Sequence, residues 1–482
     1  MKKDFLSGLD ECIENGLKKL NVPGVTVAVT KGDKLLFSRA YGYADLEKQI
    51  KMETTHVLPI GSSSKSFTAA AAVMLVAEGK LDLDQPIRKY MPEFDLADPI
   101  AAKEATPRDL LCHRTGLPRH EFMWVDWDDI TRKEIVEKRL KHLTPNKPFR
   151  SVWQYQNHMF ATVGYLVEKV SGKTWESFVE KRIFKPLGMP CYGFLADYES
   201  KTVEFARLYT EDDNHVNREN PPLRIDAMGP AGSIHSTAEQ MTKYVRFMLN
   251  KGKAGKKTLI DEKLFSELTT PNIHYQLLPF DIPGRMPVGY ALGWFVDNYR
   301  GHRVVDHGGN VNGATALVSM LPDDDIGLVI LVNADSSMFC EALSMEIYDR
   351  YLDISDKHDW FEIYNSNFQA LITDMKKKTN ELYESKKEGK PASHDLSEYA
   401  GTYAHPGYGE FTVSCEDNSL SAAYHGVSHK LAHLHYDIFT FELMKVPFPV
   451  SFATGAKGDI ESLSVPFEGT QPPILFEKKK EG

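Results

Sequence analysis

Cysteine is scarce and scattered. The 482 residues hold five (Cys12, Cys112, Cys191, Cys340, Cys415), with no C-x-x-C pair and no cysteine–histidine spacing of a zinc site. That pattern excludes a disulfide scaffold and fits core thiols in a reducing compartment. Basic residues are in deficit: 57 Lys and Arg face 67 Asp and Glu, a formal net charge of −10. Such a balance argues against binding to a phosphate backbone, so no nucleic-acid partner is expected. Long apolar runs are also missing, which excludes a membrane-spanning helix. The opening MKKDFLSGLDECIENGLKKL carries two lysines but no continuous apolar stretch. Its apolar residues recur at Leu6, Leu9, Ile13, Leu17 and Leu20, the spacing of an amphipathic helix and not of a secretory signal, and a cytoplasmic location is expected.

What is present belongs to a soluble globular protein, with 42% apolar and 26% charged residues. The length implies two or three domains. VTVAVT, a KGD turn and KLLFSRAYGYAD predict a β-hairpin. GSSSKSFTAAAAVMLVAEG predicts a helix with Phe67, Ala70, Ala71, Met74 and Leu75 on one face. Thr106 to Pro118 reads as a short helix ending at Gly116. Residues 158–184 read as two helices broken at Ser171–Gly172, with Thr174 as N-cap of the second. GATALVSMLPDDDIGLVILVNAD holds two apolar strands around a Pro-Asp turn, followed by a helix near Cys340 to Leu352. Strands at both ends with helices between them point to an α+β fold: an antiparallel sheet flanked by helices, with a helical domain, in which the two ends of the domain share one sheet. Residues 356–392 read as a helical and polar linker. Residues 393–482 are short, turn-broken β segments and predict an antiparallel β-barrel or sandwich, leaving 1–355 as the larger domain.

Three chemistry-bearing elements stand apart from this framework. Ser62-Ser63-Ser64-Lys65 places a hydroxyl and an amine three residues apart, on one face of a helix start. A serine needs a base to become a nucleophile, and lysine serves once burial lowers its pKa. A helix N-terminus would also present N–H groups to a developing oxyanion. Tyr155-Gln156-Asn157 follows. A phenol beside an ammonium can have a lowered pKa and shuttle protons, while Asn157 can accept from Lys65 and donate to a substrate carbonyl. The third is Asp306-His307-Gly308-Gly309-Asn310, where paired glycines permit close approach of a substrate backbone. Taken singly, each has a bland reading: a serine-rich helix start, a capped helix, a glycine turn.

Together, in this order, they resemble the serine β-lactamase and penicillin-binding-protein superfamily. The resemblance is to its class C-like branch, which includes esterases, D-aminopeptidases and acyltransferases. It runs from about Val22 to Leu352 and includes LLCHRTGLP, TVGYLVEKVSGKTWESFVEKRIFKPLGM, GPAGSIHSTAEQMTKY and YALGW. By that resemblance Ser62 is the nucleophile, Lys65 and Tyr155 handle its proton, and Asn157, His307 and Gly309 position substrate. The N–H groups of Ser62 and Asn310 form the oxyanion hole. His307 stands where β-lactamases keep the lysine of a Lys-Thr-Gly motif. A histidine is mostly neutral at pH 7, so ester or peptide cleavage is expected over β-lactam hydrolysis.

The C-terminal segment resembles a lipocalin-like domain appended to some peptidases of this branch, where it shapes access or mediates assembly. A homo-oligomer is therefore one possible state. The expected activity is hydrolysis of a small ester or short peptide through a Ser62 acyl-enzyme, with no metal and no cofactor. The alternatives are an acylatable penicillin-binding or sensor-type protein with little turnover, and an acyltransferase to an acceptor other than water. His425, His429, His433 and His435 invite a metal reading, with His433 and His435 expected on one strand face; ordinary strand histidines are the default. Phe122, Trp124 and Trp127 form an aromatic loop with no assigned role.

Overall fold

The computed structural model describes residues 5–127, 129–195, 204–220, 224–276, 280–335 and 337–480. The larger sheet contains β1 (Gly24–Lys31), β2 (Lys34–Asp45), β3 (Ile50–Lys51), β4 (Arg285–Tyr290), β5 (Phe295–Tyr299), β6 (His302–Val311), β7 (Ala314–Leu321) and β8 (Ile326–Val332). Its spatial order is β4-β5-β6-β7-β8-β1-β2-β3, antiparallel throughout. β1 lies against β8, with Val25 opposite Val332 and Lys31 opposite Ile326, so the two ends of the domain share one sheet as expected.

The principal helices are α1 (Leu9–Lys19), α2 (Ser64–Ala77), α3 (Asn157–Ser171), α4 (Ala238–Leu249), α5 (Phe339–Tyr351) and α6 (Trp360–Glu384). Both faces of the central strands are covered. Val25, Val27, Val29, Leu328, Ile330 and Val332 pack with α1 and α5, while Ala28, Val329 and Leu331 face the core that contains α4. Double coverage explains why IGLVILV reads as an unbroken apolar run. Full burial of each such aliphatic side chain contributes about 1.5–3 kcal/mol. Helix α4 sits so close that a Cβ at Gly327 would lie 2.2 Å from Val245 Cγ1.

Two helices depart from the expectation. Helix α2 is buried all round, from Ser64 to Leu75, and not on one face only. Its alanines let α3 and the segment around Pro230 close on every side, as befits a central helix. The helix expected to reach Gly116 spans only Pro107–Leu111, because His113 adopts φ +59° and turns its ring to accept a hydrogen bond from Gln156 N–H at 3.1 Å. The helix pair does break at Gly172, and Thr174 caps the second helix by accepting from Ser177 N–H.

The stretch expected as a linker is largely the continuous helix α6, which includes the polar run KKKTNELYE. Its first turns dock on the sheet domain. Trp360, Phe361 and Tyr364 are buried, and Trp360 Nε1 donates to Asp349 Oδ2 at 2.8 Å. Beyond it β9 (Gly401–His405), β10 (Gly409–Glu416), β11 (Ser419–Tyr424), β12 (Val427–His435), β13 (Ile438–Leu443), β14 (Val446–Thr454), β15 (Ile460–Val465) and β16 (Ile474–Lys478) form a closed barrel. Closure is by β16 on β9, with Tyr403 opposite Lys478. Buried rings, among them Tyr399, Tyr403, Phe411, Tyr424, Phe441 and Phe476, fill it.

His433 and His435 do not share a face: the register slips between them, leaving His433 exposed and His435 buried. A bulge reverses the side of every residue beyond it. Among the described residues no group of three or more His, Cys, Asp or Glu is arranged to hold a metal ion, and no helix is long and apolar enough to cross a membrane.

Candidate active site

Ser62 lies in a tight 3-10 turn, Gly61–Ser63, one turn ahead of the α-helix in which the sequence alone would place it. Strand β6 passes this turn at the limit of atomic contact. Gly61 has φ +50°, and a Cβ there would lie 2.7 Å from Asn310 N. A Cβ at Gly309 would lie 2.0 Å from Ile60 O and 2.9 Å from Ser62 N. Glycine at both positions thus brings the backbone nitrogens of Ser62 and Asn310 to one place. Ser63 Oγ donates to His307 O at 2.7 Å and locks the turn to the strand. Ser64 Oγ accepts from Ile234 N–H at 3.1 Å, so each serine of the run has its own task.

Lys65 is fully buried in the first turn of α2. Its Nζ lies 3.0 Å from Ser62 Oγ, 2.8 Å from Asn157 Oδ1 and 2.8 Å from Ala231 O. Burial pushes its pKa well below the ordinary lysine value; nearby Glu121 opposes that shift and Arg119 adds to it. Tyr155 shares a hydrogen bond with Ser62. Its phenol departs from the lowered pKa expected from sequence: burial raises it, against the opposing pull of Ser62 and Arg119. The turn before α3 is capped by Gln156, whose side chain accepts from Met159 N–H at 3.0 Å. Asn157, freed from capping, turns its amide toward Lys65.

His307 is buried with its Nε2 3.0 Å from the hydroxyl of Tyr290. Burial, above all, pushes its pKa down to about 3, so the imidazole is neutral. A cavity of about 680 Å³ opens on Ser62, Tyr155, Asn157, His307 and Asn310. Trp124 of the aromatic loop lines it, and Met444 reaches it from the barrel. Phe122 and Trp127 turn away, Phe122 toward Phe448 and Phe467, Trp127 onto the ring of His425.

Sequence reasoning missed Arg119 and Glu121, which also line the cavity. Glu121 Oε1 accepts from Asn157 Nδ2 at 2.8 Å, and the Arg119 guanidinium lies 5.3 Å from the centre of the Tyr155 ring. Nothing in the local sequence marks them: the bond of Glu121 to Asn157 spans 36 residues, and Arg119 meets Tyr155 from equally far along the chain. His113, inside the quoted LLCHRTGLP segment, packs its ring 4.5 Å from that of Tyr155.

An antiparallel sheet, one of whose inner strands meets a half-buried serine and a buried lysine at the start of a central helix, defines an α+β fold of the β-lactamase and penicillin-binding-protein type. The family model described as Beta-lactamase matches residues 9–344, and the chain belongs to that family. A second model, a domain of unknown function (DUF3471), matches residues 385–479. The chain is similar to an unguisins hydrolase of Aspergillus violaceofuscus, at 26% identity over 97% of this chain and 88% of that protein. Among solved structures it resembles the octameric penicillin-binding protein homologue from Pyrococcus abyssi, with TM-score 0.65 and 20% identity over 98% of this chain and 100% of the other. It also resembles D-amino acid amidase from Ochrobactrum anthropi, with TM-score 0.59 and 24% identity over 73% of this chain and 98% of the other. These structural likenesses carry the fold.

Proposed function

We propose that this chain is a serine hydrolase that cleaves an amide or ester through an acyl-enzyme on Ser62, with a short peptide or small ester as substrate. The observation that carries this reading is the hydrogen-bond set of Lys65. Two of its three neighbours, Asn157 Oδ1 and Ala231 O, can only accept. A neutral amine spends both N–H groups on them, and its lone pair is left for the hydroxyl of Ser62.

In the first step Ser62 Oγ attacks the carbonyl carbon as its proton passes to Lys65. The oxyanion accepts hydrogen bonds from the backbone N–H groups of Ser62 and Asn310. Tyr155, kept protonated by burial, hands its proton to the departing amine or alkoxide and is replenished from Lys65. Water then attacks the ester, with Lys65 again taking the proton and returning it to Ser62 Oγ as the C–O bond to the serine breaks and the acid leaves.

The neutral state of His307 removes the cation that a β-lactam carboxylate would meet at that position, which favours peptides and esters. The relatives named as hydrolase and amidase support the amide class. The decisive experiment compares wild type with Ser62→Ala on short esters, D- and L-aminoacyl amides and nitrocefin. Turnover of an amide or ester that vanishes in Ser62→Ala, with a mass shift of the intact wild type by one acyl group, is expected. Activity retained by Ser62→Ala overturns the assignment.

A further inference from the structure

We propose that Glu121 is a positioning residue of this site and that the C-terminal barrel holds it in place, so that the barrel sets the competence of a serine some distance away in the fold. The inference rests on the Ser62–Lys65 reading above. Its starting point is the alternation of the 119–122 segment. Arg119 and Glu121 face the cavity, while His120 and Phe122 between them face the barrel.

On the barrel side, Phe122 packs edge-on to Phe448, with centroids 4.9 Å apart, and stacks on Phe467 at 5.3 Å. Tyr424 Oη donates to Phe122 O at 2.7 Å. His120 has φ +46°, a conformation uncommon outside glycine. It is held there by Nε2–H donating to Thr144 O at 3.0 Å and by Nδ1 accepting from Tyr408 Oη at 2.7 Å. Burial raises the pKa of Glu468, which lies beside the backbone N–H groups of His120 and Glu121 that oppose that rise. Residues of the barrel therefore fix both flanks of Glu121 and its own backbone.

On the catalytic side, the Glu121 carboxylate has no proton to give. It accepts from Asn157 Nδ2, which forces the amide to present Oδ1 to Lys65. A flipped Asn157 would offer an N–H to the Lys65 nitrogen instead and would compete with Ser62 for its lone pair. The charge acts in the same place. Glu121 raises the proton affinity of Lys65 against burial and against Arg119, while His113, His307 and Tyr155 complete the titratable surroundings. Glu468 and Arg119 are the charged neighbours of Glu121.

The test is the pH profile of kcat/KM in full-length Glu121→Gln, Phe122→Ala and Tyr408→Phe, with Ser62→Ala alongside and folding checked by thermal midpoint. Loss of the Glu121 charge lowers the pKa of Lys65, so the acidic limb moves to lower pH by about half a unit or more. Phe122→Ala, which frees the segment without touching the cavity, moves the limb in the same direction and lowers kcat several-fold. Tyr408→Phe does so more weakly and guards against an unfolded Phe122→Ala protein. Variants that are folded and keep the wild-type limb, while Ser62→Ala is dead, overturn the inference and leave the Ser62 reading standing. A fall in kcat with an unmoved limb marks a merely structural role and overturns it too. An active Ser62→Ala overturns both.

Discussion

Ser63 donates from its hydroxyl to the backbone carbonyl of His307 at 2.7 Å, across 244 residues of chain. This one bond ties the serine turn to the strand that carries Gly309 and Asn310. Ser63→Ala removes it and leaves a buried carbonyl short of a donor. We expect a loss of about 1–3 kcal/mol in stability. A fall in kcat larger than any rise in KM should accompany it, measured by urea denaturation and steady-state kinetics.

The close approach at Gly309 makes a sharper case. A single methyl there meets Ile60 O and Ser62 N, both backbone atoms that cannot swing aside. Gly309→Ala should cost about 2 kcal/mol or more of stability. It should also lower kcat by about 100-fold, because the two nitrogens can no longer converge on one oxyanion. A folded Gly309→Ala protein with full turnover would show that these nitrogens are not used.

Lys65 is an expensive residue to bury. Its pKa in the folded protein lies below the unfolded value of about 10.4, so the unfolded chain binds more protons in between. Stability therefore rises with pH through that window. Lys65→Met should abolish turnover yet raise stability at pH 7 by about 1 kcal/mol. Its stability curve should lack the upward slope on the alkaline side. Unchanged slopes in calorimetry at pH 7 to 10 would argue that Lys65 is charged in the native state.

Acid should act through histidines. His113, His120, His158 and His307 are all buried, and burial holds each below the ordinary value: His120 at about 4, His158 and His307 at about 3, and His113 well below 6.5. The unfolded chain protonates them from about pH 6.5 downward, while the native state does not. Stability is thus present above pH 6.5 and lost as pH falls toward 3, by up to about 1.4 kcal/mol per pH unit for each group. Denaturant midpoints at pH 7.5, 6 and 5 should drop steeply, and His158→Gln, which lies outside the cavity, should shallow the drop.

The order of strands and helices was legible because hydrophobic periodicity and turn residues act locally. VTVAVT, IGLVILV and the Thr174 cap each state their conformation within a few residues. So did the spacing of Ser62 and Lys65, which one helical turn brings together. The extent of the helix around Leu111 was not legible, since His113 is turned out of it by a partner 43 residues away. Nor was the face of His435, which a one-residue bulge reverses.

The amino-acid sequence by itself determined the two kinds of architecture, the residues able to supply a nucleophile and a base, and the glycines that allow strand and turn to meet. Only the tertiary structure decided which way the pKa values of Lys65, Tyr155 and His307 move, because their burial depends on what surrounds them. It alone joined Glu121 to Asn157 and the barrel to both. Propensity and periodicity are properties of neighbours in the chain, whereas desolvation and hydrogen-bond direction are properties of neighbours in space.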